Sequence, residues 1–214
     1  AEWSVTEGSA GGGRFSSLSD INTTNVQNLK IAWTYRHGDY KSGGILPDKV
    51  FKGTGFESTP IVVENRLIFT TPFNRVIALD PESGKEIWKF DPKINIHRRF
   101  ANMLINRGVA YWKNPDSGIT KKSRIFIGTL DARLIAIDIT TGKPCHDFGK
   151  NGTINLLEGV DHLIDSWEYN LTSPPTVIGD VVIVGSSIAD IIRRIQPSGL
   201  VRAFDVRTGK LLWR

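Results

Sequence analysis

The sequence predicts an all-β chain that forms part of a propeller, and three observations carry that reading. One frame occurs three times: Val76–Trp88 (VIALDPESGKEIW), Leu134–His146 (LIAIDITTGKPCH) and Val201–Trp213 (VRAFDVRTGKLLW). In each, Ala stands two residues before Asp, Gly four after it, and Lys follows the Gly. Repetition of one unit is the mark of a repeat architecture. Each frame also opens on a short apolar run, which suits a strand buried on both faces, and each is preceded by further strand-like runs. Four strands per repeated unit is the layout of a propeller blade.

Within the frame the roles are chemical. Asp80, Asp138 and Asp205 can accept backbone N–H bonds in a turn, and Gly84, Gly142 and Gly209 can take the positive φ that closes it. EIWKF and LLWR then alternate as outer strands, so each unit reads strand, tight turn, strand. The intervals between successive Asp residues, 58 and 67, exceed the ~40–50 of compact blade repeats, so long loops are inserted. Long loops on a rigid scaffold commonly build the site.

In chain order, Ala1–Arg14 is small and glycine-rich, a loop by composition. Phe15–Leu29 mixes isolated apolar residues with Ser, Asp and Asn and allows a short helical turn. Lys30–Arg36 alternates as a strand carrying Trp33, an outer strand without a blade of its own, and Tyr40–Gly55 is a loop. Thr59–Glu64 and Leu67–Thr71 precede the first frame, Arg124–Gly128 the second, and Pro175–Ile178 and Val181–Gly185 the third. Insertions run over Asp91–Ser123, Asn151–Asn170 and Ile191–Gly199; the first contains Phe100–Trp112, apolar enough for a pair of buried strands. The repeat units end near residues 90, 149 and 214, with no separate second domain. Three units do not close a ring of typically ~4–8 blades. The expectation is that the remainder of a propeller, or another copy, completes it.

Charge and composition narrow the function. Lys and Arg exceed Asp and Glu by 27 − 22 = 5, but His97-Arg98-Arg99, Lys121-Lys122 and Arg193-Arg194 are small scattered clusters. They read as loop charge, with no aromatic and basic interleaving of a single-strand binder, so no nucleic-acid partner is expected. Cys145 is alone, which excludes an intrachain disulfide. No apolar run of ~18 residues occurs to span a membrane.

Taken together, GGGRFSSLSDINTTNVQNLKIAW, ESTPIVV, NRGVAYW, GKPCHDFGKNG, TSPP and the three A-x-D-x-x-[ST]-G-K units resemble the amino-terminal third or so of the quinoprotein dehydrogenases. Members of that family are eight-bladed propellers holding pyrroloquinoline quinone (PQQ) and a divalent ion, Ca2+ or Mg2+, on the axis. The resemblance implies about three blades plus an extra amino-terminal strand, and a Trp in each unit that packs on the neighbouring blade. His146 stands where the second unit would have its Trp, which implies weaker docking there. The resemblance also implies a periplasmic protein, attached to the inner membrane through a segment outside this chain, that passes electrons to ubiquinone or a cytochrome.

Candidate site residues follow from the same likeness. Glu57, before Thr-Pro at the mouth of a strand, is otherwise a solvated loop carboxylate; the resemblance puts it beside PQQ. Arg107 follows an apolar stretch where an unpaired guanidinium would be costly, and an Arg fork matches a carboxylate bidentately. A structural ion pair and a contact to a PQQ carboxylate are both open to it on chemistry alone; the resemblance favours the second. Thr172 and Ser187 are hydroxyls that ordinarily satisfy backbone in turns and that the resemblance assigns to PQQ carboxylates. Asp190 would ordinarily cap an Asx turn, and by resemblance supplies one carboxylate to the divalent ion. Met103 can lie against a π face or simply pack a core. Alcohol-oxidising relatives carry adjacent cysteines where this chain has Ala101-Asn102, which together with GKPCHDFGKNG and TSPP points to the sugar and polyol branch. No residue is identified as the catalytic base, which the resemblance places beyond Arg214, so the 214-residue chain alone is expected not to turn over. The rival reading is a non-catalytic scaffold propeller of the outer-membrane assembly type, which shares the repeat but has no reason to keep Glu57, Arg107, Thr172 and Asp190 together. A lectin-like propeller has no positive support.

Overall fold

The computed structural model describes every residue except 1, 6–7, 9–12, 43–52, 117–122 and 190–191. Three antiparallel four-stranded sheets follow one another along the chain. The first contains β1 (Ile61–Val63), β2 (Arg66–Thr70), β3 (Val76–Leu79) and β4 (Glu86–Phe90); the second, β5 (Ala110–Trp112), β6 (Arg124–Gly128), β7 (Arg133–Asp138) and β8 (Thr153–Asn155). After β9 (Tyr169–Asn170), the third is built from β10 (Thr176–Ile178), β11 (Val181–Val184), β13 (Arg202–Asp205) and β14 (Leu211–Trp213), while β12 (Ser187–Ile188) leaves it to pair with β9. The sheets are three meandering blades, with β5 and β10 side by side.

Alternation along the strands builds the core between blades. From the second blade, Ile125, Ile127, Ile135 and Ile137 face the first and pack with Ile61, Ile68, Val76 and Trp88. Phe126, Leu134 and Ala136 face the third and pack with Val182, Val184, Phe204 and Val206. A strand in the middle of such a stack is apolar on both faces, and every residue of β3 and β6 is buried. On the outer side of the first blade, Phe69, Ile77 and Leu79 are covered by Trp33 and Tyr35.

The repeat turns close as the sequence requires. Gly84, Gly142 and Gly209 have φ of 69°, 69° and 74°. Asp80 Oδ1 accepts from Ser83 N (2.7 Å), Asp138 Oδ1 from Thr140 N and Thr141 N (2.8 and 2.9 Å), and Asp205 Oδ1 from Thr208 N (2.7 Å). The side-chain and backbone donors of Ser83 hold the Asp80 carboxyl below the usual carboxylate range. The docking role of the Trp is also present. Trp33 Nε1 donates to Pro81 O (3.1 Å) and Trp88 Nε1 to Ile139 O (2.8 Å), and each indole covers the turn glycine of the blade it meets, Gly84 or Gly142.

Three expectations are corrected. Lys30–Arg36 alternates in burial as a strand should, with Trp33 and Tyr35 turned inward, but joins no ladder among the described residues. Phe100–Trp112 contributes one strand, β5; Leu104 makes only an isolated bridge to Thr54, because Phe100 and Leu104 pack instead under the loops with Ile94 and Leu130. The second unit has no continuous outer strand after its turn. Pro144 cannot donate to a ladder and makes only a bridge to Ile137, so Cys145–Gly152 loops out and β8 completes the edge against Arg133–Ile135.

The seam with His146 lacks an indole, as the sequence requires, and is built from other groups. Val206 O, the carbonyl that follows Asp205, accepts from Arg124 Nη1 (3.2 Å), and Arg207 O accepts from the same nitrogen (2.7 Å). Arg124 Nη2 is held by Asp147 (2.5 Å), and Gly149 N donates to Thr208 O (2.8 Å) with Gly149 and Ile154 lying against Gly209. The looped-out segment therefore occupies the place of the missing indole, and the seam is closed by other means.

Candidate functional site

Antiparallel pairing sends the parts of each blade to two opposite ends. Ile61 pairs with Ile68 and Thr70 with Val76, so the entry to the first strand and the connection between second and third strands share one edge. The Asp-Gly turns lie at the other. Glu57, Arg107 and Thr172 precede β1, β5 and β10, so topology brings all three entry segments to the same end, away from the repeat motif.

Arg107 ties those segments together. Its backbone N–H donates to Thr172 O (2.9 Å) and its carbonyl accepts from Thr59 N (3.0 Å). Its side chain repeats the pattern: Nη2 meets Glu57 Oε2 at 2.9 Å and Nη1 donates to Thr172 Oγ1 at 2.8 Å. The guanidinium and the Glu57 carboxylate keep 43% and 40% of their side-chain surface exposed, so the pair lines an open surface rather than a sealed core. Thr172 is buried. Met103 joins the group: a Cβ built on Gly55 would lie 3.4 Å from Glu57 Oε1 and 3.5 Å from Met103 Cε, which puts the thioether methyl and the carboxylate around one glycine.

Ser187 is reached from the same segment as Arg107. Asn102 Nδ2 donates to Ser187 Oγ (2.8 Å), and Ser187 pairs across the β9/β12 ladder with Asn170, two residues before Thr172. Asn170, buried, accepts from Ala101 N (2.7 Å) and donates to Leu130 O (2.6 Å). The structure thus brings Glu57, Arg107, Thr172 and Met103 together and links Ser187 to them through Asn102 and Asn170. Asp190 lies outside the described residues, among which no cluster of three metal-ligating side chains occurs.

Sequence reasoning missed Gly55, Asn102, Asn106 and Asn170. Asn106, whose Nδ2 donates to Gly128 O (2.9 Å), and Asn170 are buried amides in apolar surroundings. For Asn106 the available signal was an Asn at the end of the apolar run Met103–Ile105, since such a group is kept only where its hydrogen bonds are met; Asn170 had no such local signal.

Two of the basic clusters supply contacts among the loops of this end, and Lys121-Lys122 lies outside the described residues. Arg98 donates to Ser166 Oγ (2.9 Å), Arg99 lies 3.6 Å from the Trp167 ring centroid, and Arg193 pairs with buried Glu168 and donates to His162 O (2.8 Å). Arg193 holds the Glu168 carboxyl below its usual range. Nearby, a cavity of about 500 Å³ is lined by Tyr35, His37, Tyr40, Phe56 and their neighbours, but by none of the candidate residues.

The family model for the β-propeller domain of PQQ-dependent glucose, ethanol and alcohol dehydrogenases matches residues 3–214. This chain belongs to the PQQ dehydrogenase propeller family. It is 38% identical over its full length to quinoprotein glucose dehydrogenase A of Acinetobacter calcoaceticus, covering 27% of that protein. It is 37% identical to the quinate/shikimate dehydrogenase (quinone) of Acinetobacter baylyi, with 99% of this chain and 27% of the relative aligned. Among solved structures, the quinohemoprotein alcohol dehydrogenase of Comamonas testosteroni superposes with a TM-score of 0.77 at 29% identity, over 99% of this chain and 26% of that one. The chain therefore spans about a quarter of the length of the relatives it matches. Membership in a dehydrogenase family does not favour the scaffold reading.

Proposed function

We propose that this chain forms part of the PQQ site of a periplasmic dehydrogenase that oxidises a sugar or polyol hydroxyl and passes electrons to ubiquinone or a cytochrome. The observation that carries the proposal is the Glu57–Arg107–Thr172 group, in which one guanidinium joins the entry segments of three blades at a half-exposed surface. The donor chemistry fits a polycarboxylate: Arg107 is a fixed cation, and Thr172, by accepting from Arg107, keeps its own hydroxyl proton to donate. Met103 offers an apolar, polarisable contact for a flat ring beside them. Glu57 holds the Arg107 fork in register, and Asp190 supplies one oxygen to a divalent ion, Ca2+ or Mg2+. When bound, PQQ supplies the electrophile that receives hydride from the substrate carbon. Ala101-Asn102 in place of adjacent cysteines, together with relatives named glucose and glycerol dehydrogenases, supports the sugar and polyol class.

The test is PQQ titration of the protein carrying this chain, with Ca2+ present. Arg107→Ala is expected to weaken binding about 10- to 100-fold, the worth of a charge-assisted hydrogen bond of ~1.5–3 kcal/mol. Arg107→Lys is expected to recover only part of it, since a point charge does not reproduce the fork. Unchanged affinity in Arg107→Ala would overturn the proposal. The base is placed beyond Arg214, so the 214-residue chain supplied with PQQ, Ca2+, glucose and a redox dye is expected to give no turnover; measurable dye reduction would refute that placement.

A further inference from the structure

We infer that Asn102 is a positioning residue that fixes the direction of the Ser187 hydroxyl, turning it into a hydrogen-bond donor aimed at a carboxylate of the cofactor. The inference rests on the PQQ reading above and adds a residue that reading does not use.

An amide nitrogen can only donate, and a hydroxyl carries one proton and two acceptor positions. At 2.8 Å from Asn102 Nδ2, Ser187 Oγ is therefore the acceptor, and its single proton must point elsewhere. Arg107 Nη1 imposes the same polarity on Thr172 Oγ1. Two hydroxyls on neighbouring segments are thus set as donors by two side chains of one segment, residues 102 and 107. A hydroxyl that accepts from one group donates more strongly to the next, because the bonds polarise one another.

The placement is firm enough to transmit that polarity. Ala101 N is held by Asn170 Oδ1 (2.7 Å), and Asn170 is buried and anchored in turn to Leu130 O (2.6 Å). Asn170 is also the residue opposite Ser187 in the β9/β12 ladder. The backbone around Ser187 already has its ladder partner and does not need the Asn102 amide to satisfy it. Ser187 is only partly buried, so the residue reaches accessible space rather than a sealed core.

The experiment is a double-mutant cycle on PQQ affinity in the protein carrying this chain, using Asn102→Ala, Ser187→Ala and both together, with thermal melts to confirm that each variant folds. Ser187→Ala is expected to weaken binding about tenfold, as for loss of a hydrogen bond to a charged acceptor. Asn102→Ala is expected to weaken it about threefold, because the hydroxyl then rotates among several partners. If Asn102 acts through Ser187, the double variant binds as Ser187→Ala does, and the two effects are not additive. Effects that multiply would overturn the inference, as would full affinity in either single variant. Wild-type protein that fails to bind PQQ would remove the underlying reading as well; additive effects with the Arg107 result intact would remove only the role of Asn102.

Discussion

The carbonyls of Pro81, Ile139 and Val206 each follow a repeat Asp and each receive an N–H from the segment packed against that turn: the indole of Trp33, which lies outside the blades, the indole of Trp88 on the first blade, and the guanidinium of Arg124 on the second. Arg124 is buried, with 9% of its side chain exposed, so its replacement leaves the Val206 and Arg207 carbonyls without that donor. Arg124→Met keeps much of the volume and is expected to cost about 1–3 kcal/mol in chemical denaturation. Its partner Asp147 is 67% exposed, so Asp147→Asn is expected to change the midpoint only slightly. Nothing in His146 announced this substitution, because the replacing donor sits 22 residues upstream on another strand. The buried Glu168 behaves differently. Arg193 lowers its native pKa, so the folded state is favoured while the carboxyl is ionised. That contribution is complete above the unfolded value of about 4.5 and is lost as pH falls through the lowered native value. Glu168→Gln is expected to be less stable than wild type at neutral pH and to lose less stability on acidification, as read from melts between about pH 2 and 6; parallel curves would show that this pair does not carry the acid response.

At the scale of elements, the strands were legible where composition and turn chemistry agree and illegible where pairing decides. β1, β2, β3, β6, β7, β10, β11 and β13 follow from short apolar runs bounded by turn residues, β4 and β14 follow from alternation, and the Asp-to-Gly spacing fixes the hairpins. Lys30–Arg36 shows that alternation reports burial, not ladder bonding: Trp33 and Tyr35 face the first blade with no hydrogen-bonded neighbour strand among the described residues. The outer edge of the second blade was lost to Pro144, whose missing N–H breaks the strand. The turn glycines give a direct test of the docking geometry. A Cβ on Gly142 would sit 2.7 Å from Trp88 at φ +69°, whereas Gly179 at φ +56° has open space around it. Gly179→Ala therefore carries only the left-handed backbone penalty, about 1–2 kcal/mol, and Gly142→Ala carries that plus displacement of the indole. Gly142→Ala is expected to lower the melting temperature clearly more than Gly179→Ala; equal shifts would mean that the indole moves aside at no cost.

For the whole molecule, the repeat and the site lie at opposite ends of the same sheets, and this explains what sequence could and could not reach. The repeat announced the architecture because each copy must rebuild the same turn and the same docking surface. The site announced itself only through the family likeness, since Glu57, Arg107 and Thr172 sit in three separate entry segments and no local pattern joins them. Asn102 and Asn170 were invisible for the same reason. The stacking of blades also predicts where stability resides. Trp88 pairs with Ala78 and is 8% exposed against the second blade; Trp213 pairs with Ala203 in the same register but is 48% exposed. Trp88→Ala removes a buried ring and its bond to Ile139 O and is expected to cost about 3–5 kcal/mol in this chain, by analogy with other large-to-small core changes. Trp213→Ala, at a half-exposed position, is expected to cost under about 1 kcal/mol. Denaturation midpoints of the two variants separate the cases: the difference belongs to the neighbouring blade and not to the strand, because strand register is common to both. Comparable losses would instead place the stabilising contact within each blade and leave the indole seam without an energetic role.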